Sequence, residues 1–239
     1  KETISAMRIV GIIIMLFGIF VVARSWKMKL AIVIPAFNES KVIGQVLDSL
    51  PKKLTGISQI LTVVIDDKSN DNTAKIAKNK GYTVLRHVLN SGAGASTKTG
   101  IKWAQKSDSD IIVTFDADGQ HNAGDIQKII DPIIKKQADL VIGSRFLKKQ
   151  KVPTDRFILN WLANLATLIM FGIFTTDSQS GLRAFSAHAA GRINFKSSRM
   201  EFSSEILGEA KKHNLKIIEV PTSAIYTDYS RIKGQKNSN

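Results

Sequence analysis

Apolar residues fall along this chain in short runs separated by polar clusters, and their spacing changes from run to run. Leu30 to Ile34, Ile60 to Ile65, Thr83 to Arg86, Ile111 to Phe115, Leu140 to Ile142 and Ile217 to Val220 are brief and mostly aliphatic, which predicts strands. Between them the apolar positions recur at helical spacing. Ile43, Val46, Leu47 and Leu50 make one such face, closed by Pro51, and further helices are predicted through Trp103, over Asp125 to Lys136 and over Glu201 to Lys212. Asp71 or Asn70 stands where the helix after the second strand needs a cap. Strands alternating with helices predict an α/β fold, a mostly parallel sheet with helices on both faces. Ligands of such sheets bind beyond the carboxyl ends of the strands, and the polar clusters after strands one, two and four all fall at that edge. One shared site is therefore expected.

Two apolar stretches are longer. Ile9 to Ala23 is unbroken, and the wider span from Ile4 is interrupted only by Ser5 and Arg8. It predicts an N-terminal transmembrane helix within residues 1–28, with Arg8 snorkelling to the interface. Arg24, Lys27 and Lys29 follow it and tilt the orientation towards a cytoplasmic body. The second stretch, Phe157 to Phe174, carries Asn160, Asn164 and Thr167, which argue against a simple lipid-facing span. Arg156 at its start, after Lys148, Lys149 and Lys151, suits a helix lying in a membrane interface. The soluble body is placed at residues 29–234, with a mobile polar segment from Tyr226 to Gly234 and a tail at 235–239.

Composition narrows the chemistry. At 239 residues the chain suits one sizeable domain, and the absence of cysteine excludes disulfides, thiolate zinc sites and cysteine nucleophiles. Lys and Arg number 34 against 20 Asp and Glu, a net charge of +14, which points to an anionic partner. The basic residues are spread along the chain with no basic-aromatic platform, so nucleic acid is not the expected partner, whereas membrane lipids are. A homo-oligomer is compatible with the sequence.

The most informative string is Asp116-Ala117-Asp118-Gly119-Gln120-His121. Two carboxylates this close repel and each costs energy to desolvate, so packing alone does not account for them at the end of a buried strand. A hard divalent cation, Mg²⁺ or Mn²⁺, resolves the conflict, with Asp116 and Asp118 as ligands, the Gln120 amide oxygen as a neutral one, and substrate phosphate and water completing the shell. Gly119 permits the sharp turn. Gly92 to Thr99 is one residue from a phosphate loop but has Thr97 in place of its second glycine.

Taken together, Pro35-Ala36-Phe37-Asn38-Glu39, Asp66-Asp67-Lys68-Ser69-Asn70-Asp71-Asn72-Thr73, Asn90-Ser91-Gly92-Ala93-Gly94, Asp116 to His121, Gly143-Ser144-Arg145-Phe146, Gly181-Leu182-Arg183 and Glu219-Val220-Pro221 resemble the family 2 glycosyltransferases of the GT-A fold, and within them the dolichol- and polyprenyl-phosphate sugar transferases. The resemblance implies that Pro35, Phe37, Glu39 and Asp67 hold the base and ribose of a nucleotide-sugar, with Asp116 and Ala117 also on the donor. It implies that Asp116, Asp118 and Gln120 hold the metal, Asp118 and Arg145 being catalytic. Arg145, Arg156 and Asn160 would receive the phosphate of a polyprenyl or dolichyl phosphate acceptor. Inverting transfer of a hexose from a GDP-mannose or UDP-glucose type donor, at the cytoplasmic membrane face, is then the expected activity. A membrane-tethered binding module without turnover, or transfer to a hydroxyl, are the alternatives. A hydroxyl acceptor would need a general base, for which Asp177 is the remaining carboxylate.

Overall fold

The computed structural model describes residues 6–25, 28–148, 154–199 and 201–225. The segment Tyr226 to Gly234, the tail 235–239, and the basic residues Lys149 and Lys151 lie outside the described residues. Helix α1 (Ala6–Ser25) is followed by β1 (Met28–Ala36), α2 (Ile43–Ser49), β2 (Ile57–Asp66), α3 (Thr73–Asn79), β3 (Thr83–Arg86), α4 (Ala93–Lys106) and β4 (Ile111–Thr114). A single 3₁₀ turn at Ala123–Asp125 leads into α5 (Ile126–Ile134). Then come β5 (Leu140–Ser144), α6 (Thr154–Phe171), β6 (Arg183–Ser186), α7 (Ala187–Arg192), α8 (Phe202–Lys212) and β7 (Ile217–Pro221).

Seven strands form one sheet in the order β3-β2-β1-β4-β6-β5-β7. β1 is central, and Leu30 to Ile34 are inaccessible to solvent on both of its faces. Because strand side chains alternate, Leu30, Ile32 and Ile34 pack with Ile43, Leu47, Ile126 and Ile130 of α2 and α5. Ala31 and Val33 pack on the opposite side with Ile101, Ala104, Ile206 and Leu207 of α4 and α8. β1 pairs in parallel with both β2 and β4, so the strand order reverses beside it and opens a crevice at its carboxyl end.

Strand β6 and helix α7 were not legible in the sequence. β6 runs antiparallel between β4 and β5, with Phe185 opposite Ile112 and Leu140. The run Arg183-Ala184-Phe185-Ser186 is too short to show a period, and it opens on a charge. Yet Arg183 is among the largest fully buried side chains. Its guanidinium donates to the carbonyls of Ser180 (2.9 Å), Ser203 (2.9 Å) and Ser178 (2.5 Å), tying the β6 entry loop to α8. Burial lowers its pKa to about 10, against the opposing pull of Asp177 and Asp116, so it stays charged at neutral pH. The N-cap position of the helix after β2 is Asn72, which makes no side-chain capping bond, and the Asp71 carboxylate just before it accepts the Thr73 amide at 2.9 Å.

Helix α1 forms over the expected stretch, but among the described residues no helix is long and apolar enough to cross a membrane, so the expected N-terminal span is not supported. Along α1, Met7, Val10 and Ile12 to Phe17 are exposed.

Replacing Arg183 by Leu removes three hydrogen bonds to buried carbonyls. The loss expected is about 3–5 kcal/mol of stability, the range for breaking a buried, paired charge. A urea denaturation midpoint within error of wild type would contradict this account.

Candidate active site

The carboxyl ends of β1, β2 and β4 converge on a cavity of about 530 Å³. Pro35, Phe37, Glu39, Asp67, Asp116, Ala117, Asp118, Gln120 and Arg156 all line it, so most of the residues singled out from sequence meet in one place. Asn90, Gly92, Ala93, Ser96 and Thr97 add a wall at the start of α4, and Gln179, Gly181, Phe202 and Ser203 add another. Gly181 stands in one of the quoted motifs, but Gln179, Phe202 and Ser203 were missed from sequence, because their place depends on the loop before β6 and on α8.

The loops after β1 and β2 clasp each other. The Asn38 amide donates to Ser69 Oγ at 2.9 Å, the Asn70 amide to Asn38 Oδ1 at 2.8 Å, and the Glu39 amide to Thr73 Oγ1 at 2.8 Å. Asp67 reaches the loop before α4, where its carboxylate accepts the amides of Ser91 (2.9 Å) and Gly92 (2.7 Å) and a hydrogen bond from His87 Nδ1 (2.8 Å). Further along, the amides of Gly94 and Ala95 face the Ser198 carbonyl at 2.8 and 3.4 Å. These N–H groups are therefore committed within the fold, which rules out a phosphate loop at Gly92 to Thr99.

At the end of β4 the chain turns at Gly119, whose φ is +77°. The Asp116 side chain is 44% exposed towards the cavity, and its Oδ2 accepts from His121 Nε2 at 3.0 Å. His121 itself is buried and lies edge-on to Phe115. Burial pushes the Asp116 carboxyl up, but the His121 hydrogen bond and the charges of Arg145 and Arg183 outweigh it and hold it below the usual carboxylate range. Asp116 is thus ionised at neutral pH. A β-carbon at Gly181 would lie 1.9 Å from Asp116 Oδ2, so only glycine leaves room for this carboxylate.

Asp118 accepts from the Gln120 backbone amide at 2.9 Å and from Gln120 Nε2 at 2.7 Å. Since an ionised carboxylate only accepts, the Gln120 amino group must face Asp118. Gln120 therefore braces Asp118 here. Among the described residues no group of three His, Cys, Asp or Glu side chains is placed to hold a metal. The site offers two oxygen ligands, Asp116 and Asp118, and this set fits a hard cation that takes its other ligands from phosphate and water.

Arg145 and Asn160 do not line the cavity. The Arg145 Nε and Nη2 both donate to Asp177 at 2.8 Å, and the Arg145 amide donates to the same carboxylate at 3.0 Å. Asp177 is fully buried, so it is a partner of Arg145 and not a base facing a substrate. The Asn160 Nδ2 donates to the Thr176 carbonyl at 2.9 Å, joined by Asn164 Nδ2 at 2.8 Å. One of its amide N–H groups thus holds the loop before β6. Glu219 completes the fastening by accepting from the Thr176 amide at 2.9 Å and from the Thr175 hydroxyl.

Comparison with known proteins agrees with this geometry. The family model for Glycosyl transferase family 2 matches residues 31–198. An uncharacterized protein of Methanocaldococcus jannaschii is 47% identical over 213 residues, covering 87% of this chain and 86% of the relative. A UDP-N-acetylglucosamine–dolichyl-phosphate N-acetylglucosaminyltransferase of Methanococcus voltae is 38% identical over 225 residues, covering 85% and 88%. Among solved structures, glucosyl-3-phosphoglycerate synthase from Mycobacterium tuberculosis, crystallised with Mn²⁺, UDP and phosphoglyceric acid, aligns with a TM-score of 0.65. It covers 88% of this chain and 75% of that one at 18% identity, which establishes the shared α/β fold.

Gly181→Ala tests the carboxylate cradle. The added methyl displaces Asp116, and Mn²⁺ affinity measured by electron paramagnetic resonance should fall by about 10- to 100-fold, the usual cost of disturbing a ligand's support. Unchanged affinity in a folded variant would show that Asp116 is not a ligand.

Proposed function

Because the chain belongs to Glycosyl transferase family 2, we propose that it transfers a hexose-type sugar from a nucleoside-diphosphate sugar to a polyprenyl phosphate at a membrane surface. The observation that carries this reading is Arg156. It stands in the first turns of α6 and lines the cavity that holds Asp116 and Asp118. The same helix exposes Phe157, Ile158, Leu159, Trp161, Leu162, Ile169 and Met170. A cationic group at the cavity and an apolar surface beside it suit an acceptor that is anionic at one end and hydrocarbon at the other. The exposed side chains of α1 add a second apolar surface that can rest in lipid. Basic Lys27 and Lys29, which follow it, favour the anionic cytoplasmic leaflet.

In this reading Pro35, Phe37, Glu39 and Asp67 hold the nucleoside of the donor, and Ala117 contacts the donor from the turn after β4. Asp116 and Asp118 hold Mg²⁺ or Mn²⁺, which when bound neutralises charge developing on the leaving diphosphate. Arg156 receives the acceptor phosphate. Arg145, aimed by Asp177, adds positive potential from behind the cavity wall. The acidic residues lining the cavity are Glu39, Asp67, Asp116 and Asp118, each with a task on the donor or the cation. This leaves no carboxylate for a general base and favours an acceptor that needs none. A phosphate monoester meets that requirement, since its second pKa of about 6 leaves it anionic at neutral pH. Attack by its oxygen in line with the leaving diphosphate inverts the anomeric centre.

Two experiments test the proposal. Purified protein, polyprenyl phosphate, Mn²⁺ and a panel of labelled nucleotide-sugars should yield label in the lipid phase, and Asp118→Asn should lower the rate by at least about 100-fold. Failure of every donor with folded protein would sink the assignment. For the membrane surface, Trp161→Ser combined with Ile169→Ser should reduce co-flotation with anionic vesicles about tenfold or more, given roughly 1.5–3 kcal/mol per large apolar side chain buried. The circular dichroism spectrum should be unchanged; equal flotation would remove α6 from the membrane contact.

A further inference from the structure

We infer that His121 is a positioning residue for the cation: its imidazole fixes one oxygen of Asp116 so that the other is presented to the metal. The inference rests on the cation reading of Asp116 and Asp118 above and deepens it by one residue.

The surroundings of the ring are one-sided. His121 Nε2 lies 3.0 Å from Asp116 Oδ2, while Nδ1 is buried and has no hydrogen-bond partner among the described residues. An ionised carboxylate only accepts, so the proton of this contact belongs to Nε2. The ring is also held in place. The backbone of His121 bridges to Ala224, the Gln120 carbonyl just before it accepts the Ile225 amide at 2.8 Å, and the ring centroid lies 5.7 Å from that of Phe115. Only 2% of the His121 side chain is accessible, and it is not among the residues lining the cavity. It acts through Asp116 and touches neither donor nor acceptor.

A packing role does not explain this residue. An aliphatic side chain of similar volume would fill the space without burying an unpaired nitrogen, which costs stability. The hydrogen bond to Asp116 returns little to the fold, because a carboxylate 44% exposed is solvated without it. What the contact supplies is orientation. Among the described residues no hydrogen bond reaches Asp116 Oδ1, and the carboxylate lies against Gly181, where a β-carbon would stand 1.9 Å from Oδ2. Oδ2 is thus held by His121 beside Gly181, and Oδ1 is left for the ion. Supporting contacts of this kind typically govern metal affinity by about 10- to 100-fold.

The test compares two variants of the full chain. His121→Leu keeps the volume and removes the donor, and His121→Gln restores an N–H on a side chain without a ring. Mn²⁺ affinity measured by electron paramagnetic resonance should fall about 10- to 100-fold in His121→Leu, and His121→Gln should recover most of that loss. The metal-free urea midpoint of His121→Leu should be no lower than that of the unmodified protein, since the unpaired nitrogen is gone. In the unmodified protein, the ring nitrogen resonances identified by their absence from His121→Leu should show a proton on Nε2. Unchanged Mn²⁺ affinity in His121→Leu, or a bare Nε2, would overturn the inference while leaving the cation site intact. A fall in both affinity and midpoint that His121→Gln does not repair would make the role of His121 structural and overturn it too. An unmodified protein that binds no Mn²⁺ would overturn the cation reading itself, and the inference with it.

Discussion

A carboxylate accepting backbone N–H groups is the interaction on which this structure most depends. Charge-assisted hydrogen bonds are roughly twice as strong as neutral ones, and a carboxylate can satisfy several amides that a turn leaves unpaired. Several of the described loops around the cavity are fastened this way. Asp71 holds the Ser40 and Thr73 amides, and Asp67 those of Ser91 and Gly92. Asp177 holds that of Arg145, Glu219 that of Thr176, and Glu205 those of Lys196 and Ser197. Asp125 draws the Ser223 amide against the turn that follows the carboxylate pair. For Asp71 and Glu205, burial pushes the carboxyl up and the hydrogen bonds outweigh it, so both lie below their ordinary values. Their contribution to stability is therefore present above the unfolded pKa and is lost as pH falls through the folded one.

Against that background Asp116 and Asp118 differ in facing the cavity. Asp116 has His121 at one oxygen and open cavity beyond it, and Asp118 is braced by Gln120, its neighbour two residues on. Both are oriented and face the cavity, which is the arrangement a cation site needs before its ion arrives. The space is secured by what is missing at Gly181, where any side chain would occupy the position of the Asp116 oxygen.

The loop before β6 joins the two halves of the proposed function. Asn160 and Asn164 project from α6, the helix with the exposed apolar face, and both donate to the carbonyl of Thr176. The neighbouring Asp177 orients Arg145, and Phe146 packs on Phe157 of the same helix. The apolar helix and the cationic end of β5 are thus one assembly. What sets the position of α6 sets that of Arg145.

Much of this was legible in the sequence because it depends on neighbours along the chain. Apolar runs gave β1, β2, β4, β5 and β7, helical spacing gave α2, α5 and α8, and a carboxylate pair after a buried strand marked the centre of the site. The order of polar clusters at strand ends then implied their convergence, since a parallel sheet brings the same ends of its strands together. Tertiary structure decided what depends on residues far apart. Asp67 meets amides 24 and 25 positions away, and Arg145 meets Asp177 across 32, so neither pairing leaves a local pattern. The same holds for β6, a strand only by virtue of the gap between β4 and β5, and for Asn160, whose amide was spoken for by a distant carbonyl. The hydrophobicity of the N-terminal run is a property of composition and was legible, whereas a membrane span is not shown among the described residues.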